Sequence, residues 1–235
     1  NTETYGGVIL NSWLDRPLSV AGRVAIKSDD VFKPEMRLID IEKPILLIPN
    51  LAIHMNREVN KGVELHKQTD MLPVYSTSNE ELSKTAFLEY LAKELDVKAE
   101  DILDYELNIY NTDKPALVGL SEEFVCAPRL DNLTSSQAIV TGIIEGVRSR
   151  GLNMMIIFDH EEIGSRSKQG ACSTLLSHIL EKIYVSLGMT SLDFKNAVED
   201  SLLMSVDVSH AYHPAHGGKY DPTNKHVLNQ GFAIK

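Results

Sequence analysis

The chain has 235 residues, 43% hydrophobic and 24% charged, which is ordinary for a globular protein long enough to bury a core. Its formal net charge of −10 argues against nucleic acid or an anionic membrane as a partner, because both favour a basic surface. The two cysteines show no CxxC spacing, and no apolar run approaches the ~20 residues of a membrane span. The first residues of the sequence resemble no targeting segment. We therefore expect a cytoplasmic protein.

The first part of the chain has the pattern of short strands. Apolar and β-branched residues occur in brief runs around Val24 and from Leu38 to Ile41, and prolines separate these runs. Leucines at helical spacing then predict a helix over residues 88–95. One more strand is predicted over residues 104–110. We interpret residues 1–112 as a β-rich region.

From about residue 113 the pattern changes to alternating helices and buried strands. Apolar residues at helical spacing predict one helix from Leu133 to Val147 and another from Leu175 to Leu187. Continuous apolar runs over residues 154–158 and 202–206 are typical of strands that are buried on both faces of a parallel sheet. This alternation predicts an α/β fold, in which residues 113–235 form part of a layered domain.

Acidic residues lie next to the predicted elements of this second region. They are Asp131 before the first helix, Glu161 and Glu162 after the first strand, and Asp207 after the second. The carboxyl ends of parallel strands meet at one rim, where α/β enzymes keep their active sites. Carboxylates gathered there repel each other unless a cation neutralises them, and a paired metal site needs a bridging carboxylate. Asp131 is our candidate for the bridge, with one metal bound by Glu162 and one by Asp207.

Glu161 and Glu162 cannot easily have the same role, because neighbouring side chains diverge. One can bind a metal while the other acts as the general base toward water, and their spacing does not decide which does which. Each acid also has a structural alternative. A pair of glutamates is usually a solvated surface, an aspartate before a helix is often an N-cap, and an aspartate after a strand is commonly a turn residue.

Four of the histidines lie between residues 210 and 226, where they could form a metal site or a polar loop. We favour the loop for three of them, His213, His216 and His226. His210 follows Asp207 by three residues, which is close enough to contact a substrate carbonyl. His54 stands alone in an apolar context and would by default be structural. No GxSxG, Walker-type or GxGxxG motif occurs, so serine-hydrolase and nucleotide-binding functions have no support.

Several segments together resemble the aspartyl aminopeptidase family of two-metal exopeptidases. The resemblance rests on APRLDN, DHEEIGS and SVDVSHA, and also on ETYGG, WLDRPLSVAGRV, IPNLAIHMNR and the closing GFAIK, all in the expected order. It therefore covers nearly the whole chain. The resemblance implies part of a three-layer α/β/α catalytic domain, joined to a β-rich dimerisation domain.

The resemblance also implies roles for the acids. It makes Glu161 the catalytic base, and it assigns three metal ligands, with Asp131 as the bridge between the metals and Glu162 and Asp207 as the others. The implied cofactors are two divalent metal ions, zinc first, with manganese or cobalt as alternatives.

Three further residues are implied to bind substrate. His210 would contact the substrate directly. His54 would lie on a loop of the dimerisation domain and reach the active site of the neighbouring subunit, which replaces the structural interpretation. Lys235 matches a lysine near the substrate, where a cation could pair with a carboxylate.

The implied activity is hydrolysis of the N-terminal residue of peptides, with a preference for Asp or Glu, in homodimers that build up to a dodecamer. The alternatives are an aminopeptidase that prefers neutral residues and a non-catalytic oligomeric scaffold with a relic site. The family's two metal-binding histidines, one upstream of ETYGG and one downstream of GFAIK, do not occur in this sequence, and neither does a substrate-contacting tyrosine just beyond Lys235. We therefore expect an internal segment that binds metals poorly and has little activity by itself.

Overall fold

The computed structural model describes residues 2–234, which fold as two compact units. The first unit ends at Cys126 and the second begins at Ala127. Both helices and antiparallel sheets are present, in agreement with the predicted α/β class. Among the described residues, no helix is long and apolar enough to span a lipid bilayer.

A three-stranded antiparallel sheet organises the first unit. Its strands are β1 (Leu18–Ile26), β2 (Glu35–Asp40) and β3 (Ile102–Asn111). The order is β2-β1-β3, so β1 is the central strand, and its pairing with β3 shifts register between Ala25 and Ile26. The strands predicted around Val24 and over residues 104–110 are confirmed, and the run predicted from Leu38 overlaps the end of β2.

The core of this unit lies on one face of the sheet. Alternate residues of β1 are buried there, among them Leu18 and Val24, which are both fully shielded from solvent. The predicted helix is present as α1 (Ala86–Leu95), and its Leu91 is also fully buried against the same cluster.

Gly22 lies on β1 in the alternation of Leu18 and Val24. A Cβ there would come within 2.0 Å of the Glu106 carbonyl oxygen on β3. The close approach of these two strands therefore requires glycine.

Shorter elements complete the first unit. A two-stranded antiparallel hairpin is formed by β4 (Ala116–Val118) and β5 (Phe124–Cys126). Single turns of 3₁₀ helix occur at Leu10–Trp13, Val59–Lys61 and Ala99–Asp101.

The described part of the second unit is mainly helical. Its helices are α2 (Leu130–Glu145), α3 (Leu175–Ser186) and α4 (Ser191–Glu199), with 3₁₀ turns at Glu161–Ile163 and Pro214–Lys219. The first two agree with the predicted helices. α4 was not predicted. It packs on α3 through the rings of Tyr184 and Phe194, whose centroids are 5.7 Å apart.

The two buried strands predicted in the second unit are not formed. Residues 154–158 and 202–206 make no strand pairing, and Met154 and Leu202 are 40% and 88% exposed. Both segments are apolar, but a strand of a parallel sheet also needs neighbours that satisfy its backbone and cover both of its faces. The described residues of this unit provide no such neighbours, so the prediction of strands was wrong for this chain.

Candidate active site

Asp131 lies where the chain turns into α2. Arg129, two residues earlier, is left-handed (φ 60°), and Asp131 itself has non-helical angles (φ −84°, ψ 111°). The peptide bond between Asp131 and Asn132 is cis. The Asp131 side chain is exposed. The start of this helix therefore presents a carboxylate to solvent outside the regular helical path.

Asn132 connects this helix start to Asp207. Its Nδ2 lies 3.3 Å from Asp207 Oδ1 and 3.5 Å from the carbonyl oxygen of Val206, so it can donate to either. Its Oδ1 is buried and has no hydrogen-bond partner among the described residues. The Asp207 carboxylate also accepts the backbone N–H of Val208 at 2.8 Å. The structure therefore brings the neighbourhoods of Asp131 and Asp207 together, across 75 residues of sequence from Asn132 to Asp207.

Glu161 and Glu162 open a single 3₁₀ turn, Glu161–Ile163. Left-handed residues enclose this turn, with His160 before it (φ 62°) and Gly164 after it (φ 94°). The N–H of Gly164 donates to the Glu161 carbonyl at 2.8 Å. Both glutamate side chains are exposed. Among residues 2–234, neither carboxylate has an ion pair or a side-chain hydrogen bond, so both are available to a ligand.

The turn belongs to a compact loop, residues 159–172, which we name the glutamate loop. The N–H of Ser165 donates to the His160 carbonyl at 2.9 Å, and the N–H of Cys172 donates to the Ser165 carbonyl at 3.1 Å. Gly170 is buried, and a Cβ there would lie 2.2 Å from the Ser165 carbonyl oxygen. The side chain of Cys172 is exposed. Backbone contacts therefore fix the path of the loop on both sides of the glutamates.

The expected substrate-binding histidines lie in different settings. The ring of His210 is exposed and lies 5.8 Å from that of Tyr220, centroid to centroid. His54 lies in the first unit, exposed on a turn that is closed by a 2.8 Å hydrogen bond from the N–H of Met55 to the Ala52 carbonyl. Lys235 lies outside the described residues.

The acids fit a divalent cation by chemistry but do not form a complete site. Their oxygens are the ligands that hard and borderline cations accept, and Asp131, Glu162 and Asp207 make no ion pair with any residue that the structure describes. The unpaired Oδ1 of Asn132 is a further buried acceptor beside Asp207. However, no group of three potential ligand side chains forms within residues 2–234. Asp131, Glu162 and Asp207 therefore do not form one ligand group in the described structure.

Two residues of this region were missed by the sequence analysis. Asn132 stands directly after Asp131, and its position beside a candidate ligand was the available signal. Ser167, whose hydroxyl contacts the ring of His160, lies in the same segment as the glutamates. Its pairing had no signal in the sequence, because serine is common in loops of every kind.

Comparison with known proteins places the chain in a family. A family model described as aminopeptidase I zinc metalloprotease (M18) matches residues 1–235. A probable M18 family aminopeptidase 2 of Clostridium novyi is 47% identical over 236 residues, which cover 100% of this chain and 54% of that protein. Aspartyl aminopeptidase 4 of Saccharomyces cerevisiae is 38% identical over 269 residues, 99% of this chain and 55% of that protein.

A solved structure agrees with these relatives. The mApe1 dodecamer of S. cerevisiae matches with a TM-score of 0.72 and 26% identity, over 96% of this chain and 51% of that chain. This chain thus spans about half the length of the curated relatives that it matches. Because the family model covers every residue of the sequence, the chain belongs to the M18 family of zinc metalloproteases.

Proposed function

We propose that the protein to which this chain belongs is a metallo-aminopeptidase, with Glu161 as its general base. The structural observation that carries the proposal is the contact between Asn132 and Asp207, which joins Asp207 to the residue after Asp131 in a member of a zinc metalloprotease family. The exposed, unpaired glutamates on their tight turn support it further.

Asp131, Glu162 and Asp207 would hold two divalent ions, most simply zinc, with Asp131 as the bridge. When bound, the metals would polarise the scissile carbonyl and make a water easier to deprotonate. Glu161 would take the proton of the attacking water and return it to the leaving amine. His210 would contact the substrate carbonyl. We propose that the remaining ligands come from parts of the protein outside this chain, since the chain spans 54% of its C. novyi relative.

The proposed substrates are peptides with a free amino terminus, and the preferred first residue is Asp or Glu. The similarity to an aspartyl aminopeptidase supports this preference. Lys235 would pair with the acidic side chain of the substrate. An enzyme that prefers neutral first residues is the alternative, and a panel of peptides that differ only in the first residue separates the two.

We also propose self-association, from a homodimer up to a dodecamer, in the cytoplasm. The first unit would be the dimerisation domain, and the exposed turn of His54 would reach the site of a neighbouring subunit. The similarity to a dodecameric aminopeptidase supports this assembly. The net charge of −10 is consistent with a protein that binds neither nucleic acid nor anionic membranes.

Glu161→Gln tests the proposed base. In the protein expressed from its whole open reading frame, we expect kcat to fall by about 100-fold or more, because general-base catalysis contributes on that scale. The bound metal should remain, since Glu161 is not a proposed ligand. Glu199→Gln, which alters an exposed glutamate at the end of α4, is the matched control and should keep wild-type turnover.

Peptides with blocked amino termini complete this test, because an aminopeptidase must fail on them. Full activity of the Glu161→Gln variant would exclude Glu161 as the base. Cleavage of blocked peptides would exclude an aminopeptidase.

One observation favours a second candidate, a scaffold that retains a relic site: the described residues form no three-ligand group. Metal analysis of the whole protein separates the candidates. About two metals per chain support the enzyme, and none supports the scaffold.

A further inference from the structure

We propose that His160 and Ser167 form a side-chain clasp that holds Glu161 and Glu162 in position. His160 is then a positioning residue for the reaction, and its role depends on the proposed function of the two glutamates. The clasp joins the beginning of the glutamate loop to its middle and surrounds the turn that carries the acids.

The ring of His160 is held at two atoms. Its Nδ1 lies 2.5 Å from Ser167 Oγ, and its Nε2 lies 3.5 Å from Asp159 Oδ2. The side chain is only 26% exposed, while that of Asp159 is 67% exposed. The Ser167 contact is a partly buried hydrogen bond, whereas the Asp159 contact is at the limit of hydrogen-bond distance, so the Ser167 contact is the stronger restraint.

The backbone of His160 is held as well. Its carbonyl accepts the N–H of Ser165, and its own N–H donates to Asp159 Oδ1 at 2.8 Å. Its left-handed conformation is unfavourable for a residue with a side chain and persists only where the surroundings enforce it. Glu161 is the next residue, so the backbone conformation of His160 sets the direction of the Glu161 side chain. The more firmly His160 is held, the less that direction can change.

The far side of the turn has little freedom. Ser165 is also left-handed (φ 61°), and the backbone of Gly170 packs so closely against it that any side chain at Gly170 would collide. The clasp therefore adds a side-chain restraint to a loop whose path is already fixed by backbone contacts. If the clasp opened, the turn of Glu161 and Glu162 would lose a side-chain restraint at its His160 end and would keep the backbone hydrogen bonds there.

A serine, a histidine and an aspartate in contact also raise the alternative of a nucleophilic serine. The geometry favours the clasp, because the aspartate is the residue adjacent to the histidine and lies at the longer distance. A covalent serine reagent such as a fluorophosphonate should therefore leave Ser167 unlabelled. Labelling of Ser167 would overturn the inference.

Ser167→Ala is the direct test, in the protein expressed from its whole open reading frame. In assays with excess zinc we expect kcat to fall about 10-fold or more, with KM changed less than about 3-fold, as for other groups that orient active-site residues. Ser167→Thr keeps the hydroxyl and should recover most of kcat. Ser201→Ala is the matched control, because the Ser201 hydroxyl bonds only to the Ala197 carbonyl within the described structure.

A pair of substitutions at His160 tests which ring nitrogen matters. Asparagine places a polar atom near the position of Nδ1, whereas glutamine places one near Nε2. We expect His160→Asn to keep kcat within about 3-fold and His160→Gln to lose about 10-fold or more. The reverse order would overturn the inference. Should Ser167→Ala fail to fold, this pair decides the question.

The outcomes distinguish failure of the clasp from failure of the proposed aminopeptidase function. If the wild-type protein is active and Ser167→Ala keeps its kcat, the clasp has no positioning role and the proposed function stands. If the wild-type protein cleaves no peptide with a free amino terminus, the proposed function fails, and the positioning role fails with it.

Discussion

At the scale of single residues, Asn132 connects parts of the candidate site that are far apart in the sequence. Its amide donates toward Asp207, while its buried oxygen has no partner within residues 2–234. An unsatisfied buried acceptor costs about 1–3 kcal/mol, so folding alone does not explain why this side chain is held there. We infer that the Nδ2 of this side chain holds Asp207 at the start of α2, where Asp131 also lies.

This role predicts the effect of Asn132→Ala. Loss of the amide releases Asp207 from the start of α2, so we expect the affinity of the whole protein for zinc to fall about 10-fold, as it does when other groups that orient metal ligands are removed. Calorimetric titration of the metal-free protein with zinc measures this directly. Asn196→Ala, at an exposed position on α4, is the control. Equal zinc affinities for Asn132→Ala and the wild type would contradict the prediction.

The residues that could be found from the sequence are those whose candidacy depends only on nearby residues in the chain. The positions of Asp131, Glu161, Glu162 and Asp207 beside predicted elements made them candidates, because acids at such places have a recognised use. The partners of Asn132 and Ser167 could not be found in this way. A hydrogen bond across many residues depends on how the chain folds, and a single sequence carries no record of it.

At the scale of elements, α4 and the two strands that do not form show two different reasons why a sequence pattern fails to predict an element. α4 has nine residues of mixed polarity, which give little periodic signal. Its signal was the N-terminal pair Thr190 and Asp193, which form a capping box in the structure. The apolar runs at 154–158 and 202–206 had a strong signal, but apolar sequence reports a need for burial and cannot supply the partners that make a strand.

The capping box predicts a pH dependence for α4. Hydrogen bonds from the side chain and backbone N–H of Thr190 hold the pKa of Asp193 below its ordinary value. Because the folded pKa is the lower one, the charged carboxylate stabilises the helix start above the unfolded pKa. This stabilisation is lost as the pH falls through the folded pKa.

Amide hydrogen exchange in α4, followed from pH 5 toward pH 3 and corrected for the intrinsic rate, measures this loss. Protection should weaken as the pH falls in the wild type, and Asp193→Asn should show weaker protection with little change over the same range. Asp200→Asn, at the other end of α4, is the control and should follow the wild type. If protection in Asp193→Asn weakened with falling pH to the same extent as in the wild type, the role of the cap would be refuted.

At the scale of the whole molecule, His54 and the acids lie in different compact units. The exposed turn of His54 has apolar neighbours that are also open to solvent, with Ile53 54% and Met55 76% exposed. These exposed apolar side chains leave the turn accessible to another protein surface. This agrees with the proposal that His54 acts in a neighbouring subunit.

Mixing two inactive variants tests this proposal. If His54 acts across a twofold interface, a mixed dimer of His54→Ala and Glu161→Gln contains one complete site, so co-expression should recover about a quarter of wild-type activity. Glu161→Gln mixed with Asp207→Asn is the control, because both changes affect the same subunit's site and no complete site can form. Absence of recovery in the first mixture would show that His54 does not act in trans.

The exposed thiol of Cys172 has a practical consequence for studying this site. Cys126 is the only other cysteine among these 235 residues, so in this segment Cys126→Ser leaves one position for a thiol-specific spectroscopic label. That position is the last residue of the glutamate loop. A nitroxide attached there would report local motion by electron paramagnetic resonance, and the spectra with and without metal would show whether metal binding immobilises the segment next to Glu161 and Glu162.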